Sequence, residues 1–536
     1  MKILTAAEMR EVDRLTTERF GVPGLLLMED AATRTVEATE RKCGDVASKR
    51  ALVICGRGNN GGDGAAIARL LFNKGASVDV LLLGRVEDSS GDAKTNFEAA
   101  LDIAATAGPN FRFVEIGTTE QFWHEATANP HTLFFDAMLG TGLTRPASGL
   151  FEEAIHLLND HTADWPVISV DIPSGISSDS HSLIGPAVKA DLTVTFTAPK
   201  LGTILPPAAD YCGELIIASI GSPEELINSS GSKLNLVERS DVERWLAASR
   251  RSHHANKGDA GKVLVVAGSR GKTGAACMSG EAAIRAGCGL VTIATAESSQ
   301  PVVASRVIAE CMTEALAETP GGTVSREAAD RALELASERD VVAIGPGLGS
   351  SEQSTRTFVR AVTMKRQRPM VIDADALNSL APWAENLRGS VELPMILTPH
   401  PGEMARLISK PVAEVVKNPV DVARSFAVDR NVMLVLKGSP TITAAPDGQA
   451  YVNPTGNAGM ATGGTGDVLT GMIASFIAQK PDDPLSAAIA AVYLHGMAGD
   501  IAASRLGTRA MIASDITTHL GEAFITVGGD AERLVR

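Results

Sequence analysis

The chain has 536 residues and a formal net charge of −14, from 49 Lys and Arg against 63 Asp and Glu. This acidic balance, with only 4% aromatic residues, excludes proteins that bind nucleic acid through a basic, base-stacking surface. The hydrophobic share of 44% excludes a disordered chain, and the length predicts two or three domains.

The cysteine pattern and the apolar segments indicate the compartment. The six cysteines form no CxxC pair and no Cys/His cluster with zinc spacing, which is typical of a reducing environment. The apolar stretch before Glu8 is too short for a signal peptide. The longest weakly polar run, 485–499, is shorter than the ~20 residues that a membrane span needs. We therefore expect a cytoplasmic protein with no membrane partner.

Two α/β regions follow one another along the chain. Residues 1–227 and 238–536 both alternate apolar, strand-like segments with helical ones, and a small polar linker, 228–233, lies between them. The fold class predicted is two three-layer α/β domains. Strands are predicted at 51–55, 77–83, 133–136, 167–171, 192–196 and 214–218, and then at 262–267, 290–294, 341–344, 370–372, 395–398 and 432–436.

The most informative segment of the first region is 51–64, A-L-V-I-C-G-R-G-N-N-G-G-D-G. It predicts a buried strand, a glycine-rich anion-binding loop and a helix that starts near Ala65. Its glycines also satisfy G-x-G-x-x-G, and Asp79 lies where a dinucleotide-binding fold carries an acidic ribose ligand. A nicotinamide-dinucleotide fold and a glycine-rich turn without any ligand therefore stay open as alternatives.

Two further predicted strands end in acidic groups. Asp136 precedes a second glycine-rich loop, and Asp171 begins the segment D-I-P-S-G. Because ligands bind at the carboxyl ends of parallel strands, we expect Asp63, Asp136 and Asp171 to converge on one crevice. The alternative is that each carboxylate only caps a helix.

Together these three motifs resemble the NAD(P)H-hydrate epimerase (YjeF N-terminal) family over about residues 1–220, which implies a Rossmann-like domain. The resemblance implies acid/base work by Asp171 and a potassium ion held by Asn60, Asp136 and Ser174. The residues implied to bind the hydrated nucleotide (NADHX or NADPHX) are Asn59, Asn60, Gly61, Gly62, Asp63, Gly140, Thr141, Gly142, Leu143, Thr144, Arg145, Pro146 and Asp171.

In the second region, residues 457–467, N-A-G-M-A-T-G-G-T-G-D, precede a long apolar helical stretch. Backbone N–H groups of the glycines would face an anion, and Asp467 would take the proton of a hydroxyl that attacks a phosphoryl group. An aspartate that only caps the helix is the alternative. Residues 268–273 are not a P-loop, because two residues rather than four separate the first glycine from G-K-T.

Other predicted strand ends in this region are polar or glycine-rich: 345–349, 373–378, 398–403 and 437–441. With the G-T-G-D motif they resemble the ribokinase-like superfamily and, within it, the NAD(P)H-hydrate dehydratase family over about residues 240–530. The resemblance implies hydrate-binding residues Ala275, Gly347, Gly349, His400 and Asp467, and ADP-binding residues Lys437, Gly438, Ser439, Pro440, Thr441 and Gly466.

The two resemblances together imply a bifunctional repair enzyme. Residues 1–227 would interconvert the R and S hydrates, and residues 238–536 would dehydrate the S hydrate with ADP, giving AMP and phosphate. Mg²⁺ bound with the ADP and a homo-oligomeric assembly are also implied. Two alternatives remain: a kinase for a small-molecule hydroxyl, and a first region that senses nucleotides without catalysis.

Overall fold

The chain folds into two compact units, Met1–Ser232 and Lys233–Arg536. Each unit is built on one sheet with parallel strands at its centre and helices on both faces, which confirms the predicted fold class. The computed structural model describes residues 1–161, 165–252, 254 and 256–528.

The first unit has a seven-stranded parallel sheet in the order β3-β2-β1-β4-β5-β6-β7. Its strands are β1 Arg50–Cys55, β2 Ser77–Leu83, β3 Phe111–Ile116, β4 Leu133–Ala137, β5 Val167–Val170, β6 Leu192–Phe196 and β7 Glu214–Ala218. Its helices are α1 Ala6–Phe20, α2 Gly24–Cys43, α3 Asn59–Asn73, α4 Gly91–Thr106, α5 Thr119–Ala126, α6 Leu150–His161, α7 Leu201–Ile204 and α8 Glu224–Asn228.

The central strands of this sheet are apolar on both faces because both faces are covered. Val53 and Val80 belong to a core with α2, α3 and α4. Leu52 and Leu81, which alternate with them along the same strands, belong to a second core with α5 and α6. This two-sided burial explains why the strands are continuous apolar runs in the sequence.

Helix α3 begins at Asn59, six residues before the predicted start, so the glycine-rich run forms its first turns and is not a loop. The glycines are required by close packing. A Cβ atom on Gly61 would lie 1.8 Å from the carbonyl oxygen of Gly56, and one on Gly62 would lie 2.7 Å from the Cα of Ala93. The loop prediction for this segment is therefore wrong.

The second unit has a ten-stranded sheet in the order β11-β10-β9-β12-β13-β14-β15-β16-β17-β8. Its strands are β8 Leu234–Leu236, β9 Lys262–Val266, β10 Leu290–Ala296, β11 Cys311–Leu316, β12 Val341–Ile344, β13 Met370–Ile372, β14 Met395–Leu397, β15 Met433–Leu436, β16 Ile442–Ala444 and β17 Ala450–Val452. Its helices are α9 Arg239–Ala248, α10 Thr273–Arg285, α11 Gln300–Arg306, α12 Ala329–Ser337, α13 Gln353–Met364, α14 Ala374–Leu380, α15 Pro401–Ile408, α16 Val412–Lys417, α17 Pro419–Arg430, α18 Thr465–Gln479, α19 Pro484–Leu506 and α20 Ala513–Gly528.

The boundary between the units differs from the predicted one. Strand β8 pairs with β17 in the second sheet, so the second unit begins at Lys233 and the predicted start at 238 is too late. The predicted range of this domain, 238–536, also includes residues 529–536, which lie outside the described part of the chain.

Among the described residues, helix α19 is long and apolar enough to cross a membrane by length and composition. Two thirds of its most apolar window (67%) is buried inside the second unit. Its alanines and Leu494 pack in one core with residues of α9, α18 and α20, so its apolar composition has a structural cause in the fold.

Two candidate active sites

The first unit contains a cavity of about 760 Å³ at the carboxyl ends of β1, β4 and β5, bordered by α1 and α2. Ligands bind at this end of parallel sheets. The residues predicted for nucleotide binding that line it are Asn59, Asn60, Asp63, Gly140, Thr141, Gly142, Leu143 and Asp171. The cavity therefore brings together residues of the glycine-rich segment after β1 and residues that follow β4 and β5.

Asp171 stands just after β5, with a φ of +66° that aspartate seldom adopts. Its Oδ1 lies 2.5 Å from the Nζ of Lys200, whose side chain is buried, with 1% exposure. Lys200 also donates to Thr195 Oγ1 (2.8 Å) and to the carbonyl oxygen of Phe196 (3.1 Å). Burying an ammonium group costs free energy unless it is paired, and the carboxylate of Asp171 provides the pairing charge for Lys200.

Two more largely buried carboxyl groups, Asp13 and Asp63, line the same cavity, which Asp92 also borders. Burial raises the pKa of Asp63 well above its usual range, and the charges of Asp171 and Asp13 raise it further. Burial also raises the pKa of Asp13 to about 6, with Lys200 opposing and Asp171 adding to the rise. Three carboxyl groups therefore share one buried ammonium group.

Asp136 lies beneath the cavity and is not among its lining residues. Its carboxylate accepts hydrogen bonds from Ser169 Oγ (2.9 Å) and from the Oγ and N–H of Ser174 (2.5 and 2.7 Å). Burial raises its pKa, and these hydrogen bonds oppose the rise. Asn60 packs against Gly140, and both polar atoms of its side chain are buried with no hydrogen-bond partner among the residues that the structure describes.

Five residues predicted for the nucleotide site do not line the cavity. Gly61 and Gly62 are consumed by packing within the unit. Thr144, Arg145 and Pro146 are exposed beyond its edge. The structure brings together the remaining predicted nucleotide-binding residues and leaves these five outside the cavity wall.

The ribose-binding alternative for Asp79 is wrong. Asp79 is the third residue of β2 rather than its last, and it is 1% exposed. Burial alone would raise the pKa of this carboxyl, but hydrogen bonds from His131, Arg50 and Asn129 lower it to about 2. The carboxylate has no capacity left for a ribose and serves as a buried structural anion.

In the second unit, Asp467 lies in the first turn of α18, directly after Gly463, Gly464 and Gly466. The N-terminus of this 15-residue helix presents free N–H groups and a partial positive charge. Burial raises the pKa of Asp467 to about 7; the charge of Asp373 adds to the rise, and Lys437 opposes it. A carboxyl with such a pKa can take up a proton at neutral pH.

Lys437 follows β15 and forms its ion pair with a carboxylate other than that of Asp467. Its Nζ lies 2.7 Å from Asp373 Oδ1 and 4.0 Å from Glu403 Oε2. The second oxygen of Asp373 accepts from Thr470 Oγ1 (2.8 Å), one turn below Asp467 on α18. Burial would lower the pKa of Lys437, but Asp373 and Glu403 raise it, so the lysine stays charged.

Of the predicted hydrate residues other than Asp467, Ala275 lies in the first turn of α10, Gly347 and Gly349 follow β12, and His400 follows β14. A Cβ atom on Gly347 would come within 3.0 Å of the Cβ of Ala275, so these two backbones adjoin. The N–H of Gly349 donates to Asp375 Oδ2 (2.8 Å), which also pairs with Lys272 (3.0 Å). They share this end of the sheet with the charge network around Lys437.

His400 is the N-cap of α15, where its Nδ1 accepts from the N–H of Gly402 (3.0 Å). Burial lowers its pKa, and the charges of Lys437 and Arg406 lower it further. Its ring therefore has a capping role, and its half-exposed Nε2, 3.5 Å from Glu403 Oε1, remains at the surface of the site.

The predicted ADP-binding residues 437–441 form the turn between β15 and β16. Thr441 Oγ1 donates to the carbonyl oxygen of Gly438 (3.2 Å), which stabilises the turn. A Cβ atom on Gly466 would lie 3.1 Å from Lys437 Nζ. The turn and the helix N-terminus are therefore neighbours, and Ser439 and Pro440 lie between the two fixed ends of the turn.

Comparison with known proteins identifies the family. The family described as YjeF-related protein N-terminus matches residues 24–202, and the family described as NAD(P)H-hydrate dehydratase matches residues 263–521. The bifunctional NAD(P)H-hydrate repair enzyme Nnr of Moorella thermoacetica is 42% identical over 536 residues, covering 100% of this chain and 99% of the relative. The chain belongs to the family of bifunctional NAD(P)H-hydrate repair enzymes.

Another member of the family is similar to this repair enzyme over most of the chain, and one solved structure is similar to about half of it. The enzyme of the same name from Escherichia coli K12 is 36% identical over 514 residues, covering 95% of this chain and 92% of the relative. The structure of the ADP/ATP-dependent NAD(P)H-hydrate dehydratase from Bacillus subtilis, co-crystallised with ATP and Mg²⁺, is 32% identical with a TM-score of 0.48. It covers 55% of this chain and 98% of that one.

Sequence reasoning missed two side chains in the repair enzyme's first cavity. Asp13 interrupts a stripe of buried residues on α1 (Met9, Val12 and Thr16), and this helical spacing is the signal that could have found it. Lys200 lies four residues after the end of β6, and Lys437 in the second unit lies directly after the end of β15. A lysine shortly after an apolar strand of a parallel sheet is the corresponding signal.

Proposed function

We propose that this chain is a bifunctional NAD(P)H-hydrate repair enzyme whose first unit epimerises R and S hydrates and whose second unit dehydrates the S hydrate with ADP. The observation that carries the proposal is the match over the full chain to a relative named for this repair function. The two buried carboxylate sites, around Asp171 and Asp467, are the features that each reaction requires. We also propose a cytoplasmic location and a homo-oligomeric assembly.

The epimerase reaction inverts a ring carbon that carries a hydroxyl group. The hydroxyl leaves as water after receiving a proton, and a water molecule then adds to the opposite face and gives up a proton. Asp171 is positioned to accept that proton, because its carboxylate lines the cavity and is held by Lys200. Asn59, Asp63 and the 140–143 segment line the space available to the hydrated nucleotide.

A potassium ion fits the chemistry of Asn60, Asp136 and Ser174. The amide of Asn60 is buried without a partner, and amide, carboxylate and hydroxyl oxygens are the donors that a hard cation prefers. The bound ion would supply positive charge near a phosphate-bearing ligand. Replacing potassium with lithium in the assay should slow epimer exchange and leave dehydration unchanged. Equal epimerase rates in the two salts would contradict the proposal.

In the second unit, Asp467 takes the proton of the hydrate's hydroxyl as its oxygen attacks the terminal phosphoryl group of ADP. The new O–P bond replaces the bond to AMP, which leaves, while the N-terminus of α18 stabilises the phosphoryl charge. Breaking the C–O bond then releases phosphate, and loss of a proton from the adjacent carbon restores NAD(P)H. Mg²⁺ enters with the nucleotide's phosphates.

The decisive experiment incubates purified protein with mixed hydrate epimers, with and without ADP, and follows both epimers and NAD(P)H by chromatography. We expect exchange without ADP and complete conversion to NAD(P)H with it. Conversion of one epimer only would remove the epimerase assignment. Phosphorylation of an unrelated small-molecule hydroxyl, with no hydrate turnover, would favour a kinase.

Asp171→Ala separates catalysis by the first unit from mere nucleotide binding. We expect epimer exchange to fall to the spontaneous rate while ADP-dependent dehydration of the S hydrate continues. The exposed carboxylate Asp102 on α4 offers the matched control, Asp102→Ala. Exchange at the wild-type rate in Asp171→Ala would favour a nucleotide sensor.

A further inference from the structure

The cavity of the first unit contains a carboxyl group, Asp13, that takes no part in the epimerase steps described above. Asp13 lies on α1 and lines the cavity, and it belongs to none of the sequence motifs that define the site. It lies outside residues 24–202, the part of the first unit that the family match covers. Its Oδ1 is buried and has no hydrogen-bond partner among the described residues.

An unpartnered buried carboxylate oxygen is costly, so such groups are rare without a purpose. The cost falls when the group carries a proton. Burial raises the pKa of Asp13 to about 6, with the charge of Asp171 adding to the rise and Lys200 opposing it. Asp13 is thus a carboxyl that can hold a proton in a cavity where Lys200 engages Asp171 directly.

Epimerisation needs both a proton donor and a proton acceptor, because one C–O bond breaks and a second C–O bond then forms. Two carboxyl groups whose surroundings differ are the usual way in which proteins supply that pair. We propose that Asp13 donates the proton to the departing hydroxyl while Asp171 accepts the proton of the incoming water, an inference that rests on the proposed epimerase function. In the reverse direction the two residues exchange these roles, so no other reactant is required.

Asp63 is the competing donor in the same cavity. Burial raises the pKa of Asp63 well above its usual range, so it too can carry a proton in the cavity. Asp13 differs from it in having a buried carboxyl oxygen, Oδ1, with no hydrogen-bond partner among the described residues. Asp63→Asn therefore serves as the competing variant in the test.

Several other charged groups surround Asp13 and α1. Those that line the cavity on other elements are Lys200, Asp171, Asp63, Arg57 and Asp92. Those elsewhere on α1 that line the cavity are Arg10 and Arg14, and those at its packed ends are Asp179, which accepts from the N–H of Ala6, and Glu224 and Glu225 of α8. Among these charges, Lys200 and Asp171 act on the pKa of Asp13.

The test measures epimer exchange by the full-length protein from about pH 5 to about pH 8, with Asp13→Asn, Asp13→Glu, Asp63→Asn and the surface control Asp102→Asn. For the wild type we expect kcat/KM to fall above about pH 6, because the donor must be protonated. Asp13→Asn should lower kcat by roughly 10²-fold at little cost in KM and should lose that fall. Asp13→Glu should restore part of kcat together with the fall.

Four results overturn the inference, and they are distinguishable. If the wild type does not exchange epimers, the proposed function fails with it. If the wild type does so and Asp13→Asn matches it in rate and pH profile, the inference alone fails. Loss of the pH-dependent fall in Asp63→Asn rather than in Asp13→Asn assigns the donor to Asp63. Equal loss in Asp13→Asn and Asp13→Glu with an unchanged pH profile assigns Asp13 a structural role only.

Discussion

The two sites of this chain use a lysine and an aspartate in opposite ways. In the first unit, Lys200 contacts the aspartate assigned to catalysis, Asp171, at 2.5 Å. In the second, Lys437 contacts Asp373 at 2.7 Å, and the neighbouring Asp467 has a pKa raised to about 7 by burial and by the charge of Asp373. The partner that each lysine takes therefore decides whether the carboxyl proposed for catalysis belongs to an ion pair or has a raised pKa.

The largest expected effect is at Asp467. Asp467→Asn removes the base, so ADP-dependent dehydration should fall by roughly 10³-fold while ADP still binds. The recovery of the near-ultraviolet absorbance of NAD(P)H measures the rate, and calorimetry measures ADP binding. The exposed Asp482→Asn, after the same helix, is the control. Turnover above a tenth of the wild-type rate would assign Asp467 to helix capping.

The pH dependence of dehydration sharpens the same contrast. Asp467 must lose its proton before it can accept one, so kcat/KM should rise with pH up to about 7 and then level off. The first unit should show the opposite trend above about pH 6 if Asp13 is its donor. Parallel pH profiles for the two activities would mean that the lysine partners do not set these carboxyl groups apart.

An intermediate effect is expected at Lys200. Lys200→Met removes the buried ion-pair partner of Asp171, which costs about 3–5 kcal/mol of stability. Epimer exchange should fall by roughly 10²-fold at neutral pH. Urea unfolding and exchange rates measure the two losses, with the exposed Lys189→Met as control. An active, equally stable Lys200→Met protein would break the comparison.

The smallest effect separates two glycines of one motif. In Gly466→Ala the new methyl group would lie 3.1 Å from Lys437 Nζ and push the ammonium away from its place beside Asp373, so dehydration should slow several-fold. In Gly463→Ala the methyl group meets nothing within 4 Å, so the rate should stay near the wild-type value. Steady-state kinetics of both variants measure the difference. Equal rates would show that the lysine tolerates displacement.

Strands buried on both faces were predictable from the sequence, whereas of the four edge strands only β7 was predicted. The apolar runs of β1, β2 and β9 follow from the helices that cover both faces of each sheet. The strands β3, β11 and β8 escaped prediction because each is the outermost strand of its sheet and is largely half-exposed. The short antiparallel β16 and β17 have too few residues for a recognisable period.

The candidate sites divide in the same way. The glycine-rich motifs before Asp63 and Asp467 are local patterns, so resemblance to known families could mark them. The charges that act on those carboxyl groups come from residues distant in the sequence. The ion pair between Lys437 and Asp373, which acts on Asp467, is an example. The predicted loop at 59–64 failed because glycine there allows a helix to approach a backbone, a tertiary demand that no local pattern records.

The position of β8 has a practical consequence for dissecting the enzyme. Leu234–Leu236 forms the outer strand beside β17, although it precedes the rest of its sheet by more than twenty residues. A fragment that starts after β8 would leave the hydrogen-bonding edge of β17 uncovered, and uncovered edges recruit strands from other molecules. Preparations of the isolated dehydratase half should begin at or before Lys233 if they are to stay monodisperse in storage.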